Sequence, residues 1–136
     1  MSTNGRVNAL LNMNKPNTTI LLVYGTLQKS FSNNRLICDQ KFLGKAKTKE
    51  KYLLMDFGGF PGMFQEDGPT QVQGELWAID EHARNRCDCL EGHPRFYCRT
   101  PIVALMGGEE IACETYFNVG RKHGVPCENG IWPRTR

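Results

Sequence analysis

Two groups of residues in this sequence have types and spacing that could do chemistry. Glu91 follows an apolar stripe of Ala83, Cys87 and Leu90, and it precedes Gly92 and Pro94. A glutamate in that place projects from the C-terminal end of a helix into the space left by the following loop. The negative end of the helix dipole and partial burial both disfavour the carboxylate, so its pKa is expected to rise and make it a better proton acceptor near neutral pH. The alternative is a solvated glutamate at a helix end. The second group is Tyr24-Gly25-Thr26-Leu27, where the apolar run from Thr19 to Tyr24 stops at a glycine. Glycine lets the chain turn sharply and approach a ligand. The amides that follow could receive a carboxylate or an oxyanion, and Tyr24 and Thr26 add hydroxyls. The alternative is a plain strand-to-helix turn. The segment is not a phosphate loop, because the glycine spacing and the Gly-Lys-Ser/Thr ending are missing.

The remaining candidates carry less. Cys87, Cys89 and His93 lack the two-residue spacing and the second pair of a structural zinc site, so no metal is expected there. The six cysteines, Cys38, Cys87, Cys89, Cys98, Cys113 and Cys127, occur without a secretory signal and are expected as free thiols. His93 and His123 are expected to be structural. Lys45, Lys47, Lys49 and Lys51 alternate in the manner of the wet face of a strand, without the interleaved aromatics of a nucleic-acid site.

The elements that must position these residues follow from periodicity. Residues 19–24 are a continuous β-forming run, the pattern of a strand covered on both faces. Ser32, Asn33 and Asn34 can cap a short helix carrying Leu36 and Ile37. Residues 42–57 read as extended, and Gly58-Gly59-Phe60-Pro61-Gly62 as a loop. Residues 71–79 alternate, with Val72, Gly74, Leu76 and Ala78 on one face and Gln71, Gln73, Glu75 and Trp77 on the other, so Glu75 could face solvent. Gly74 in mid-strand suggests a bend or a close backbone approach. Asp80 N-caps a helix running to about Leu90, with Gly92 at its C-terminal stop. Residues 97–106 and 109–117 form a hairpin around Gly107-Gly108, with Ile111, Cys113, Thr115 and Phe117 on one face. From Gly120 onward the tail is expected to be irregular.

Taken together and in order, Val23-Tyr24-Gly25-Thr26-Leu27, Gly74-Glu75-Leu76-Trp77-Ala78-Ile79-Asp80 and Leu90-Glu91-Gly92-His93-Pro94-Arg95-Phe96-Tyr97-Cys98-Arg99 resemble the γ-glutamylcyclotransferase-like family. They are more closely similar to its γ-glutamylamine cyclotransferase and AIG2-like branch. Phe60-Pro61-Gly62 falls where the family places an aromatic-Pro step, and the tail around Gly120-Arg121-Lys122-His123-Gly124 is similar to that of the γ-glutamylamine branch. The family loop often continues Lys-x-Gly, whereas this chain has Gln28-Lys29-Ser30, a departure that could alter the loop's conformation.

The resemblance implies an α+β fold, a small and mostly antiparallel β-barrel with flanking short helices. It implies an enzyme that releases 5-oxoproline and a free amine from a small γ-glutamyl substrate without a cofactor, since nucleophile and electrophile lie in one molecule. Glu91 would be the general acid and base. Tyr24, Gly25, Thr26 and Leu27 would bind the substrate, and Tyr97 would line the pocket. The alternative is a non-catalytic γ-glutamyl or small-molecule binding module of the same fold.

Length and composition agree with one domain: 136 residues, 40% hydrophobic and 23% charged, with a net charge of +3. Residues 1–18 are expected to be an N-terminal extension, loose or packed on the domain, and residues 19–136 the domain with its tail. No apolar run approaches the roughly 20 residues that cross a bilayer, so a membrane is not an expected partner; the alternating lysines read as a solvated face, so nucleic acid is not one either; and residues 1–17 lack the apolar stretch of a secretory signal, so the cytoplasm is the expected compartment.

Overall fold

The apolar run becomes strand β1, Thr19–Val23, in a computed structural model that describes residues 17–134. The expected N-terminal extension lies outside the described residues apart from Asn17 and Thr18. β1 is covered on both faces: Leu22 belongs to one core cluster, and Leu21 and Val23 to the other. It pairs antiparallel with β4, Thr70–Ile79, from Thr19 opposite Ile79 to Val23 opposite Glu75.

Between them in sequence lie β2, Lys41–Asp56, and β3, Pro61–Asp67. β2 bends at two register shifts along β4, one between Phe42 and Gly44 and one between Lys47 and Lys51. This lets one long strand touch β4, β3 and β5, which is Tyr97–Met106. β5 forms an unbroken antiparallel hairpin with β6, Glu109–Asn118, through Gly107 and Gly108. Both glycines have positive φ, as a two-residue hairpin turn demands. Ile111, Cys113, Thr115 and Phe117 are all buried, as their alternation implies.

The strand order is β1-β4-β2-β3-β6-β5, with a short β7, Val125–Pro126, on β2. Single parallel bridges, Leu21 to Glu114 and Met63 to Phe117, join β6 to β1 and β3. The expected α+β class and mostly antiparallel pairing hold. The sheet is mixed, and it returns on itself through these bridges rather than through a full ladder.

Three details differ from the sequence reading. β3 occupies residues read partly as loop. The tail is not wholly irregular: Cys127 and Trp132 are buried in the main core, and β7 pairs with Met55 and Asp56. Glu75 does not face solvent; it is 6% exposed, and Trp77 beside it is 2% exposed. The C-terminal half of β4 lies between two core clusters, so its second face is buried at Glu75 and Trp77, while Gln73 on that same face stays exposed. The close approach suggested by Gly74 is present, since a Cβ there would stand 2.2 Å from the Val23 carbonyl oxygen. Lys45, Lys47, Lys49 and Lys51 are exposed, as expected of the wet face of a strand.

Among the described residues, one α-helix, α1, spans Glu81–Glu91. The Asp80 carboxylate accepts a bond from the Ala83 amide at 2.8 Å, and Gly92 ends the helix at φ 65°. The His93 amide donates back to the Asp88 carbonyl at 2.9 Å, closing the last turn. Ala83 and Cys87 face the core, but Leu90 is 41% exposed, so the expected stripe ends one turn early.

Candidate functional site

The turn after β1 is built so that its carbonyls and side chains are occupied. The Gly25 carbonyl accepts from the amide and the side chain of Gln28, at 3.1 and 3.2 Å. The Thr26 carbonyl accepts from the Asn33 amide, and the Thr26 hydroxyl accepts from the Asn33 side chain at 2.8 Å. The Leu27 carbonyl accepts from the Asn34 side chain at 2.8 Å. Asn33 and Asn34 therefore brace the loop from a 3₁₀ turn, Ser32–Leu36, rather than capping a helix. Buried Glu75 accepts from the Lys29 amide at 3.0 Å and from the Trp77 indole at 3.1 Å, which pins the loop to β4. Among the described residues, the hydrogen bonds of this loop leave the amides of Gly25, Thr26 and Leu27 unused. Ser30 sits at φ 76°, so the position where the family pattern has glycine keeps a left-handed backbone without one.

Gly25 itself does not have a positive φ. Its constraint is contact: a Cβ would meet the Pro61 ring at 2.7 and 2.8 Å. Pro61 is held in turn by Tyr97, whose hydroxyl donates to the Pro61 carbonyl at 2.8 Å. Tyr24 lies buried beneath, donating to the Tyr116 carbonyl at 2.6 Å and accepting from the Met63 amide at 3.1 Å. Its hydroxyl is thus spent on joining β1, β3 and β6, and its ring forms wall.

These residues enclose a cavity of about 350 Å³. Tyr24, Gly25, Thr26, Leu27, Tyr97 and Glu91, all six named from the sequence, line it, so residues from three separate segments come together. Burial pushes the Glu91 carboxyl from its ordinary 4.5 up to about 7. Its charge is felt by the surrounding phenols. Burial first, and then Glu91, raise Tyr24, and Tyr97 is pushed up to about 12, chiefly by burial.

One turn back on α1, Asp88 moves the other way. Burial alone would raise it, but bonds from Arg99 and Tyr116 outweigh that and hold it below the usual carboxylate range. Arg99 grips both Asp88 oxygens, at 2.9 and 3.0 Å, and also pairs with Glu114. The Tyr116 hydroxyl donates to Asp88 at 2.6 Å. Two carboxyls three residues apart thus differ in state. Asp88 is a fixed anion that orients a cavity wall, while Glu91 is poised to exchange a proton near neutral pH.

Tyr116 and Asp88 were not singled out from the sequence. The only signal for Tyr116 was its alternation onto the face opposite Thr115 and Phe117. His93 and His123 are structural: the His93 Nδ1 accepts from the Arg99 amide at 3.0 Å, and His123 stacks on Phe57 at 4.2 Å. Cys87 is buried while Cys89 is exposed, and among the described residues no cluster of His, Cys, Asp and Glu is arranged to hold a metal ion. No helix among them is long and apolar enough to cross a membrane.

Among the described residues, a mixed sheet and one α-helix, whose last residue is a carboxyl lining the same cavity as a strand-end loop, define a class that comparison with known proteins identifies. The sequence model of the family described as "Gamma-glutamyl cyclotransferase, AIG2-like" matches residues 21–134, and this chain belongs to that family. A relative from Methanocaldococcus jannaschii, named "Putative gamma-glutamylcyclotransferase", is 39% identical over 99 residues, covering 71% of this chain and 82% of its own length. The gamma-glutamylaminecyclotransferase of Rattus norvegicus is 28% identical over 112 residues, covering 71% of this chain and 75% of its own. The crystal structure of an AIG2-like protein from Mus musculus superimposes with a TM-score of 0.71 at 25% identity, covering 77% of this chain and 80% of that one.

Proposed function

We propose that this chain is a γ-glutamylamine cyclotransferase-type enzyme. Its substrate is a small γ-glutamyl amide. The α-amine attacks the γ-carbonyl, a five-membered lactam closes, the bond to the attached amine breaks, and 5-oxoproline and the free amine leave. The observation that carries this reading is Glu91, a carboxyl in a cavity opposite unused loop amides, with its pKa raised to about 7.

Each step follows from those groups. The amides of Gly25, Thr26 and Leu27 receive the glutamyl α-carboxylate and hold the chain folded back, which supplies the proximity a ring closure needs. Glu91 takes one proton from the α-ammonium, which frees the lone pair that attacks, and gives it to the departing nitrogen; it then takes the second proton that the new lactam nitrogen loses and passes it to the freed amine. A carboxyl poised near neutral pH can do both. The rings of Tyr24, Tyr97 and Tyr116 exclude water around it. Membership of the family and similarity to a gamma-glutamylaminecyclotransferase support the reaction type.

The test is a panel of γ-glutamyl amides scored for 5-oxoproline release by the parent and by Glu91→Gln. The parent is expected to turn over at least one member, and the variant to fall by about 100-fold or more, the usual effect of losing general acid–base help. A variant as active as the parent would leave a non-catalytic role for Glu91 and refute the mechanism.

A further inference from the structure

The cavity has a buried floor and, besides the polar side chains of Thr26, Ser32 and Asn33, two large apolar side chains among its exposed lining. Its buried floor includes Leu22, Tyr24 and Tyr116, while Phe60 is 49% and Leu90 is 41% exposed at the opening. One half-exposed apolar side chain is ordinary on a protein surface, but two that line the same cavity offer area that a bound apolar group would remove from water. Phe60 is not a loose side chain. It ends a tight turn in which the Phe57 amide donates to the Phe60 carbonyl at 2.9 Å and the Gly58 amide donates to Asp56 at 2.9 Å. Its ring packs edge-on against Phe57 at 5.4 Å, and Phe57 is itself stacked on His123. Leu90 is held one residue before Glu91 by the last turn of α1. Among the described residues lining the cavity, Glu91 is the only one with a charged side chain.

We infer that Phe60 and Leu90 form the subsite for the departing amine, and that the preferred substrates carry an uncharged, apolar alkyl or arylalkyl amine on the γ-glutamyl group. This rests on the reading of Glu91 and the loop as the cyclotransferase site. With the α-carboxylate at the loop amides and the γ-carbonyl near Glu91, the amine substituent extends toward the opening between Phe60 and Leu90. An apolar substituent there gives up water and covers both side chains. An amine bearing its own carboxylate or ammonium meets no counter-charge among the lining residues and must desolvate its charge against phenyl and isobutyl groups. The mouth thus discriminates against γ-glutamyl dipeptides and lysine isopeptides.

The experiment compares γ-glutamyl amides of primary alkyl amines, so that leaving-group basicity stays nearly constant: methylamine, n-butylamine, the side-chain amine of lysine, and β-alanine. 5-Oxoproline release gives kcat/KM for each. Each methylene buried is worth roughly three- to fourfold, and because the mouth is half open we expect the n-butylamide to exceed the methylamide by about tenfold. The lysine and β-alanine compounds are expected to fall below the n-butylamide by a similar factor. Phe60→Ala and Leu90→Ala should each shrink the butyl-to-methyl ratio, mainly through KM, and Phe60→Leu should restore much of it. Equal kcat/KM across the parent's panel, a charged amine preferred over n-butyl, or a ratio unmoved by both alanine variants would overturn the subsite while leaving the cyclotransferase reading intact. No 5-oxoproline from any compound would instead refute the reading on which the subsite depends, and the subsite with it.

Discussion

Replacing Glu91 by glutamine should change stability as well as activity, in a way that depends on pH. The Glu91 carboxyl titrates near its ordinary 4.5 in the unfolded chain and at about 7 in the folded one, because burial disfavours its charge. A carboxyl whose folded pKa is raised binds more protons in the folded state between those values. Its favourable contribution is therefore full below about 4.5 and is lost as pH rises through about 7. At ~1.4 kcal/mol per pH unit the full loss is about 3 kcal/mol. The residue is only half-buried overall, so screening by water reduces the expected figure to about 1 to 3 kcal/mol. Glutamine does not titrate. The variant's stability relative to the parent should consequently increase between pH 4 and pH 9 by that amount, or about 3 to 10 °C in Tm for a chain of this size. Taking the difference between the two proteins at each pH cancels the other carboxyls, and taking its change with pH cancels any fixed packing effect of the amide. Thermal or denaturant melts of both proteins across that range make the measurement. A difference that stays constant within about 0.5 kcal/mol would mean that Glu91 titrates as an ordinary surface carboxyl, and the acid–base reasoning would fail with it. The same titration should appear in the parent's rate, which is expected to rise with pH through about 7 as the base ionises.

Gly25→Ala drives a methyl group into the Pro61 ring at 2.7 Å, and Pro61 is the anchor of Tyr97. It should cost about 1 to 3 kcal/mol as overpacking and weaken 5-oxoproline binding by more than the accompanying melt would suggest; titration of the product together with thermal melting checks both. Leu54→Ala is the core control, because Leu54 is 1% exposed and away from the cavity, whereas Leu22 lies on the cavity floor. It should cost about 2 to 5 kcal/mol while leaving product affinity nearly unchanged. Asp88→Ala leaves Arg99 with only Glu114 and frees the Tyr116 hydroxyl. It should destabilise by about 3 kcal/mol or more in a denaturant melt, and a loss under 1 kcal/mol would show that the network is not needed to hold β6 against the helix.

The family resemblance, the helix with its Asp80 cap and Gly92 stop, the hairpin at Gly107-Gly108 and six of the residues that line the cavity were legible in the sequence. These features rest on local chemistry: a cap, a glycine, an alternation, a short ordered motif. Local spacing could also say that Glu91 ends a helix. It could not say what stands opposite Glu91, because Thr26, Tyr97 and Tyr116 arrive there through β1, β5 and β6, whose neighbours are set by long-range pairing. The same holds for Glu75, whose alternation pointed to solvent. Only the second core cluster, assembled from β1, α1 and β6, closes over that face and turns the glutamate into a buttress of the loop. Asp88 and Glu91 show the division most plainly. They are alike in type and one helical turn apart, and the sequence alone offers no reason to treat them differently. The fold brings Arg99 and Tyr116 to Asp88 and leaves Glu91 among phenols and aliphatic groups, so one is held as an anion while burial raises the pKa of the other to about 7.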